Sequence, residues 1–390
     1  MGCPACVVYD RSLTDYDFGP GHPMQPVRVD LTMELATALD VPLAAVAAPD
    51  ATDEDLLTVH RPDLLAAVRR SSADPRLHDP RHGLGTDDNP TFARMHEASR
   101  HVVGASIEAA RRVWTGESLH AANIAGGLHH AMPDLVSGFC VYNDVAVAIR
   151  WLLAHGAGRV AYVDMDVHHG DGVQQVFYDD PRVLTVSLHE TGQMLFPGTG
   201  FAGETGGPGA RGTSVNVALP PGTGDAGWLR AFHAVVPPVV RAFAPDVLVT
   251  QHGCDSHRDD PLAHLTLTVD GQRAGYLALH DLAHEVCDGR WIATGGGGYA
   301  VVDVVPRSWT HLLAVVGGSP LDPDLGTPAS WQALVARRLG RKAPTRMSDG
   351  PLAAYRAWSD GVDPDTWLDR TVLETRRAVF PEHGLDPLLD

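Results

Sequence analysis

Residues 162–172 read YVDMDVHHGDG, three aspartates and two histidines in eleven positions, directly after an apolar and β-branched run. Carboxylates and imidazoles ligate borderline divalent cations and exchange protons near neutral pH. In a strand, residues two apart share a face, so Asp164, Asp166 and His168 are expected to project together where the run ends, within reach of one ion. The same residues also suit a polar turn, because Asp and His commonly cap helices and line turns. A metal centre that does chemistry needs a further protein ligand and an open position for water. The segment is therefore a metal site, a polar turn, or half of a centre completed elsewhere.

Other segments supply the missing half. VTQHGCDSHRDDP places Asp255 a few residues beyond an apolar run, and IAGGLHHAMPD places His129 and His130 side by side on irregular backbone, where both can face one cleft. ATGGGGYAVVD presents Tyr299 on four glycines, whose missing side chains let backbone and phenol approach a ligand closely. These groups need a frame. Runs at 6–9, 159–167, 182–189, 246–253 and 290–298 read as buried strands, and helical patterns lie between them, notably NDVAVAIRWLLAHG, AGWLRAFHAVVPPVVRAFAPD and AGYLALHDLAHEVCDG. Such alternation predicts an α/β fold with a mainly parallel sheet and helices on both faces, and in such sheets ligands bind beyond the carboxyl ends of the strands. A composition shift at 317–328 leads into a helical, locally basic tail.

With 390 residues, 44% of them hydrophobic, the chain can bury a large core, and its formal charge of -18 argues against a nucleic-acid partner and against anionic membranes. Five scattered cysteines do not make a disulfide framework in a chain this long, so a reducing, cytoplasmic setting is expected. Cys3 and Cys6 are the one suggestive pair, but no further ligands at similar spacing complete a zinc site. No basic-then-apolar leader, myristoylation pattern or long uncharged apolar stretch occurs, so no membrane attachment is expected.

Taken in order, GHPMQPVR, GLGTDDNP, GGLHHA, SGFCVYND, YVDMDVHHGDGV, SLHE, LFPGTG, QHGCD and GGGGY resemble the zinc-dependent histone deacetylase superfamily, and within it the acetoin-utilisation (AcuC) type. The resemblance implies an arginase/deacetylase-like single domain over 1–316, and the composition shift noted above makes 317–390 a helical C-terminal extension packed on it. It implies zinc-dependent hydrolysis of N-ε-acetyl-lysine, with Asp166, His168 and Asp255 as the ligands of Zn2+, or of Fe2+ in its place. By the same resemblance His130 is the general base, oriented by Asp171; His129 is a cationic or hydrogen-bonding stabiliser, oriented by Asp164; and Tyr299 donates to the oxyanion. A structural K+ is implied at Asp164, Asp166, His168, Ser187 and Leu188, and relatives carry a second one around Phe177, Asp180 and Val183. Gly138, Phe139 and Phe196 resemble the walls of a narrow tunnel. Asp87 or Asp88 resembles a rim carboxylate that accepts substrate N–H groups, and Arg28 resembles a buried arginine near an internal acetate pocket. The implied partner is an acetylated protein lysine, such as that of acetyl-CoA synthetase; acetylated polyamines or other small amines are the alternative, and oligomeric state stays open.

Other readings are weaker. An arginase-like di-manganese site wants an Asp two residues after Asp255, and that position is His257. A non-catalytic acyl-lysine-binding protein would have lost a ligand or the tyrosine. GTGFAG matches a dinucleotide-binding pattern but lacks the flanking strand and helix. His280 and His284 stand four apart on a predicted helix, and with nothing nearby in sequence to complete a site they read as a solvated face. His169 is expected to point away from the metal.

Overall fold

The computed structural model describes residues 5–390; Cys3 lies outside them. Eight strands form one sheet: β1 (Cys6–Val8), β2 (Ala44–Val46), β3 (His120–Asn123), β4 (Val160–Asp164), β5 (Val183–Glu190), β6 (Ser214–Leu219), β7 (Val247–Gln251) and β8 (Trp291–Thr294). Their order is β2-β1-β3-β8-β7-β4-β5-β6, and every pairing is parallel. Among the described residues eleven α-helices accompany them: α1 (Val27–Ala38), α2 (Asp53–Leu57), α3 (Pro62–Ala73), α4 (Met95–Trp114), α5 (Asp144–Ala154), α6 (Asp171–Phe177), α7 (Asp225–Phe243), α8 (Val269–Cys287), α9 (Val305–Val316), α10 (Ala329–Leu339) and α11 (Trp367–Val379).

The strand interiors are apolar on both faces because both faces are covered. Along β4, Ala161 and Val163 join the core beneath α7, α8 and α9, while Val160 and Tyr162 join the core beneath α3, α4 and α5. β7 and β8 alternate in the same way, with Leu248 and Trp291 on one side and Val249 and Ile292 on the other. The C-terminal segment packs onto this frame: Arg230 on α7 makes a two-pronged, buried ion pair with Asp369 on α11 (2.7 Å each), and Thr375 Oγ1 donates to Asn216 O on β6 (2.6 Å). On the other side Trp331 Nε1 of α10 donates to Leu31 O of α1 (2.9 Å).

Two expectations need correction. The strand read over 159–167 stops at Asp164, because Asp164 Oδ1 accepts from Asp166 N (3.1 Å) and Asp166 Oδ1 from His168 N (3.0 Å). These side-chain-to-backbone bonds bend the chain, so Asp166 and His168 meet through turns instead of through strand alternation. β2, β3 and β6 also join the sheet, although no strand run was read at their positions.

Candidate active site

Four neighbouring central strands, β3, β8, β7 and β4, each deliver polar residues from their carboxyl ends to one crevice. β3 leads to His129 and His130, β4 to Asp164, Asp166 and His168, β7 to Gln251 and Asp255, and β8 to Gly297 and Tyr299.

At the base, His168 Nδ1 lies 3.1 Å from both Asp166 Oδ1 and Asp255 Oδ2, and all three side chains are buried. Three ligand atoms so close together match the spread of ligands around a small divalent cation, where bonds of about 2.0–2.2 Å set the spacing. The charges agree. Burial and the neighbouring Asp166 carboxylate push Asp255 up to about 7. Burial opposes charge on His168, but the two carboxylates outweigh it and hold the imidazole up at about 10. A proton there occupies the place between two buried carboxylates that a divalent cation would take, so the donor set fits Zn2+ or Fe2+.

Gln251 and Gly297 complete the setting of Asp166. Gln251 Nε2 donates to Asp166 Oδ2 (2.7 Å), and so does the Gly297 backbone N–H (2.8 Å). A Cβ on Gly297 would lie 1.9 Å from Asp255 Oδ2, so this member of the glycine run is needed for close approach.

The adjacent histidines lie with ring centroids 4.0 Å apart, tilted 52° to one another, and take different carboxylates. His129 Nδ1 donates to Asp164 Oδ2 and His130 Nδ1 to Asp171 Oδ1, each at 2.7 Å. Burial works against charge on both rings. For His129 the carboxylates of Asp164 and Asp166 outweigh burial and hold it up at about 9. For His130 burial, reinforced by the charge on His129, outweighs Asp171 and brings it down to about 4. One ring is thereby a cation and the other a neutral acceptor, with its Nε2 free of the Asp171 bond.

Above these groups opens a cavity of about 200 Å³ lined by Asp88, His130, Gly138, Phe139, His168, Leu195, Phe196, Leu262 and Tyr299. A separate chamber of about 10 Å³, room for about one water, shares His130, Gly138, His168 and Tyr299 with it and is bordered by Met24, Cys140 and Gly296 among others. Phe196 stands with its ring 5.0 Å from that of His130 and remains 45% exposed, whereas Phe139 packs edge-on against Tyr299 at 5.7 Å. Gly138 has φ +52, and a Cβ there would meet His130 Cδ2 at 2.5 Å. Tyr299 is placed through its backbone, whose N–H donates to Asp260 Oδ2 (2.8 Å), and burial raises its phenol well above the usual range, keeping it protonated.

The remaining candidates separate. Of the doubled aspartates Asp88 lines the cavity and Asp87 does not. Arg28 is buried with Nη1 donating to Gly298 O (2.8 Å) and its guanidinium 5.0 Å from the Trp309 ring, so it braces the glycine run from behind and is absent from the chamber wall. Ser187 pairs in register with Asp164, and its hydroxyl bonds His189 Nδ1 (2.8 Å); Leu188 follows it on β5. Asp180 is engaged by Arg150 (3.2 Å) and Arg182 (2.8 Å). His169 turns away to Thr199 Oγ1 (2.8 Å) and Gln174 Oε1 (3.0 Å). His257 neither lines the cavity nor joins the Asp166–His168–Asp255 cluster: its Nε2 donates to Asp349 Oδ2 (2.7 Å), tying the β7 loop to the C-terminal segment.

Several contributors escaped the sequence reading: Gln251, Asp260, Leu195, Leu262 and Asn89, whose Oδ1 accepts from Phe139 N (2.9 Å). Gln251 closes a strand run and Asn89 follows the doubled aspartates, positions that invite a search; the two leucines carry no chemical signal.

A family model described as the histone deacetylase domain matches residues 22–316. The acetoin utilization protein AcuC of Bacillus subtilis (strain 168) is 40% identical over 360 residues, 91% of this chain and 90% of that protein. Its namesake in Staphylococcus aureus (strain MSSA476) is 35% identical over 368 residues, 93% and 92%. Among solved structures, an HDAC homolog complexed with SAHA is 25% identical and superposes with a TM-score of 0.83 over 95% of this chain and 99% of that one. The HDA15 HD domain is 28% identical, with a TM-score of 0.73 over 86% and 94%. No helix among the described residues is long and apolar enough to cross a membrane. Alike in sequence over nine-tenths of its length and alike in fold, the chain belongs to the histone deacetylase family, and within it to the acetoin-utilisation (AcuC) type.

Proposed function

We propose that this deacetylase hydrolyses the amide of N-ε-acetyl-lysine in proteins, releasing acetate, with Zn2+ held by Asp166, His168 and Asp255. The observation that carries the reading is the convergence of those three ligand atoms with His130 and Tyr299 at the foot of one aromatic-walled cavity. Bound there, the cation would polarise the substrate carbonyl and acidify a water.

The chain's own groups then divide the work. Neutral His130, its Nδ1–H committed to Asp171, presents Nε2 to take the proton of the attacking water and hand it to the departing amine. His129, held cationic between Asp164 and Asp166, stabilises the negative charge that develops nearby. Tyr299, kept protonated by burial, donates its hydroxyl to the oxygen that gains charge. Phe139 and Phe196 sandwich the aliphatic stem of the substrate, and Asp88 at the rim accepts its backbone N–H groups. Beside the site we assign a structural K+ to Asp164, Asp166, His168, Ser187 and Leu188; in support, Asp164 and Ser187 face one another on β4 and β5.

The test is a panel of acetyl-lysine peptides, longer-acyl peptides and acetylpolyamines, assayed by product mass with Zn2+, with Fe2+, with chelator and with Tyr299→Phe. Turnover of the acetyl peptides that is lost to chelator and to Tyr299→Phe, with metal content retained in the variant, is expected. Selective turnover of acetylpolyamines would overturn the protein substrate, and unchanged turnover by Tyr299→Phe would overturn its role.

A further inference from the structure

The pair His280 and His284, expected to form a solvated helix face, is completed by a residue 164 positions from His284: His120, the first residue of β3. The three imidazoles gather where α8 crosses the amino-terminal edge of the sheet, the edge opposite the cavity described above. Their ring centroids are 4.9, 5.1 and 4.6 Å apart, and one ligand nitrogen from each lies within 4.8 Å of the others.

The orientation is that of ligands. His120 Nδ1 lies 2.9 Å from Val316 O, and a carbonyl only accepts, so the ring proton sits on Nδ1 and the Nε2 lone pair faces the other two rings. A backbone carbonyl on the far nitrogen is the usual means of fixing the tautomer of a metal-binding histidine. His120 Nε2 and His284 Nε2 are 3.2 Å apart, close to the edge of a tetrahedron with metal–nitrogen bonds of about 2.0–2.1 Å. His120 is buried and backed by the Trp291 ring at 5.7 Å, His280 is half-buried and His284 is exposed, which gives an ion a route in and a fourth position open to water. Three imidazoles without a carboxylate select zinc, nickel, cobalt or copper over magnesium or calcium.

We propose that His120, His280 and His284 form a second, tri-histidine site for a divalent transition metal, separate from the candidate active site, which clamps the C-terminal turns of α8 to the start of β3. Without an ion, the cluster is merely a hydrogen bond between two rings with a third alongside.

The test uses the full chain, stripped with chelator, reloaded with Zn2+ and freed of excess. Metal content is measured by mass spectrometry for the wild type, for the double variant H280A/H284A and for Asp255→Asn. The double variant is expected to hold one ion fewer than the wild type while keeping deacetylation of an acetyl-lysine peptide, and Zn2+ is expected to raise its thermal midpoint less. Asp255→Asn is expected to keep one ion. Equal zinc content in the wild type and the double variant would overturn the site. If the double variant does not fold, Asp255→Asn decides: one retained ion supports the site, and none overturns it.

Discussion

His130 and Asp171 are joined by a 2.7 Å bond from Nδ1 to Oδ1, and Asp171 is itself the first residue of α6. The carboxylate thus has a fixed seat, and the tautomer of His130 follows from it. Asp171→Ala frees the ring to rotate and to exchange tautomers, and kcat is expected to fall about 10–100-fold with KM little changed. Steady-state kinetics on an acetyl-lysine peptide checks this, and a rise in KM at constant kcat would assign Asp171 to substrate binding.

Gln251 Nε2 holds Asp166 Oδ2 at 2.7 Å and also reaches Gly127 O at 3.3 Å, bridging the end of β7 and the β3 loop beneath the candidate ligands. Gln251→Ala leaves the three ligands in place but unlocks one. Zinc affinity is expected to weaken about 10–100-fold, measured by competition with a chelating dye.

His257 bonds Asp349, which also accepts from Arg307 Nη1 (2.8 Å) and from Val269 N (2.9 Å). Together these anchor the segment after α10 beneath the β7 loop. His257→Ala leaves a buried carboxylate short of one partner and is expected to cost about 2 kcal/mol in urea unfolding. Zinc content at the Asp166–His168–Asp255 cluster is expected to stay unchanged; its loss would show that His257 supports that cluster.

His60 is buried with Nδ1–H donating to Met132 O (3.0 Å) and Nε2 accepting from Asn143 N (2.9 Å), an arrangement open only to the neutral ring. Burial brings it down to about 4 from an ordinary 6.5. Between those values the unfolded chain binds the proton and the folded chain does not, so this contribution is full above pH 6.5 and is lost as pH falls toward 4. His60→Gln is expected to flatten the pH dependence of unfolding free energy in that window by about 1.4 kcal/mol per pH unit, measured by urea melts from pH 7 to 4. A slope identical to the wild type would show that His60 is protonated when folded.

What the sequence discloses of this molecule depends on how local the cause is. β5, VLTVSLHE, is buried at every position and reads as a strand from its own residues. β3, HAAN, is buried too, but His, Ala and Asn have little strand preference, and only its neighbours β1 and β8 make it one. β2 is a three-residue edge strand, mostly exposed, and its alanine-rich stretch LAAVAA has little strand preference to announce it. Asp166, His168 and Asp255 were legible as candidate ligands while the reason for their meeting was not: side-chain bonds to backbone N–H groups bend the chain after Asp164. His120 lay furthest from view, since nothing within reach of its own segment suggests that α8 crosses above it.

The four strands that feed the crevice are hydrogen-bonded neighbours, so the points from which their carboxyl-terminal loops leave the sheet are set by its repeat of about 4.8 Å. Asp88 and Phe196 hang from loops that none of these four strands feeds. Grafting those two loops between relatives is therefore expected to change which acylated amine is admitted, while the residues that follow β3, β4, β7 and β8 keep their anchors in the sheet.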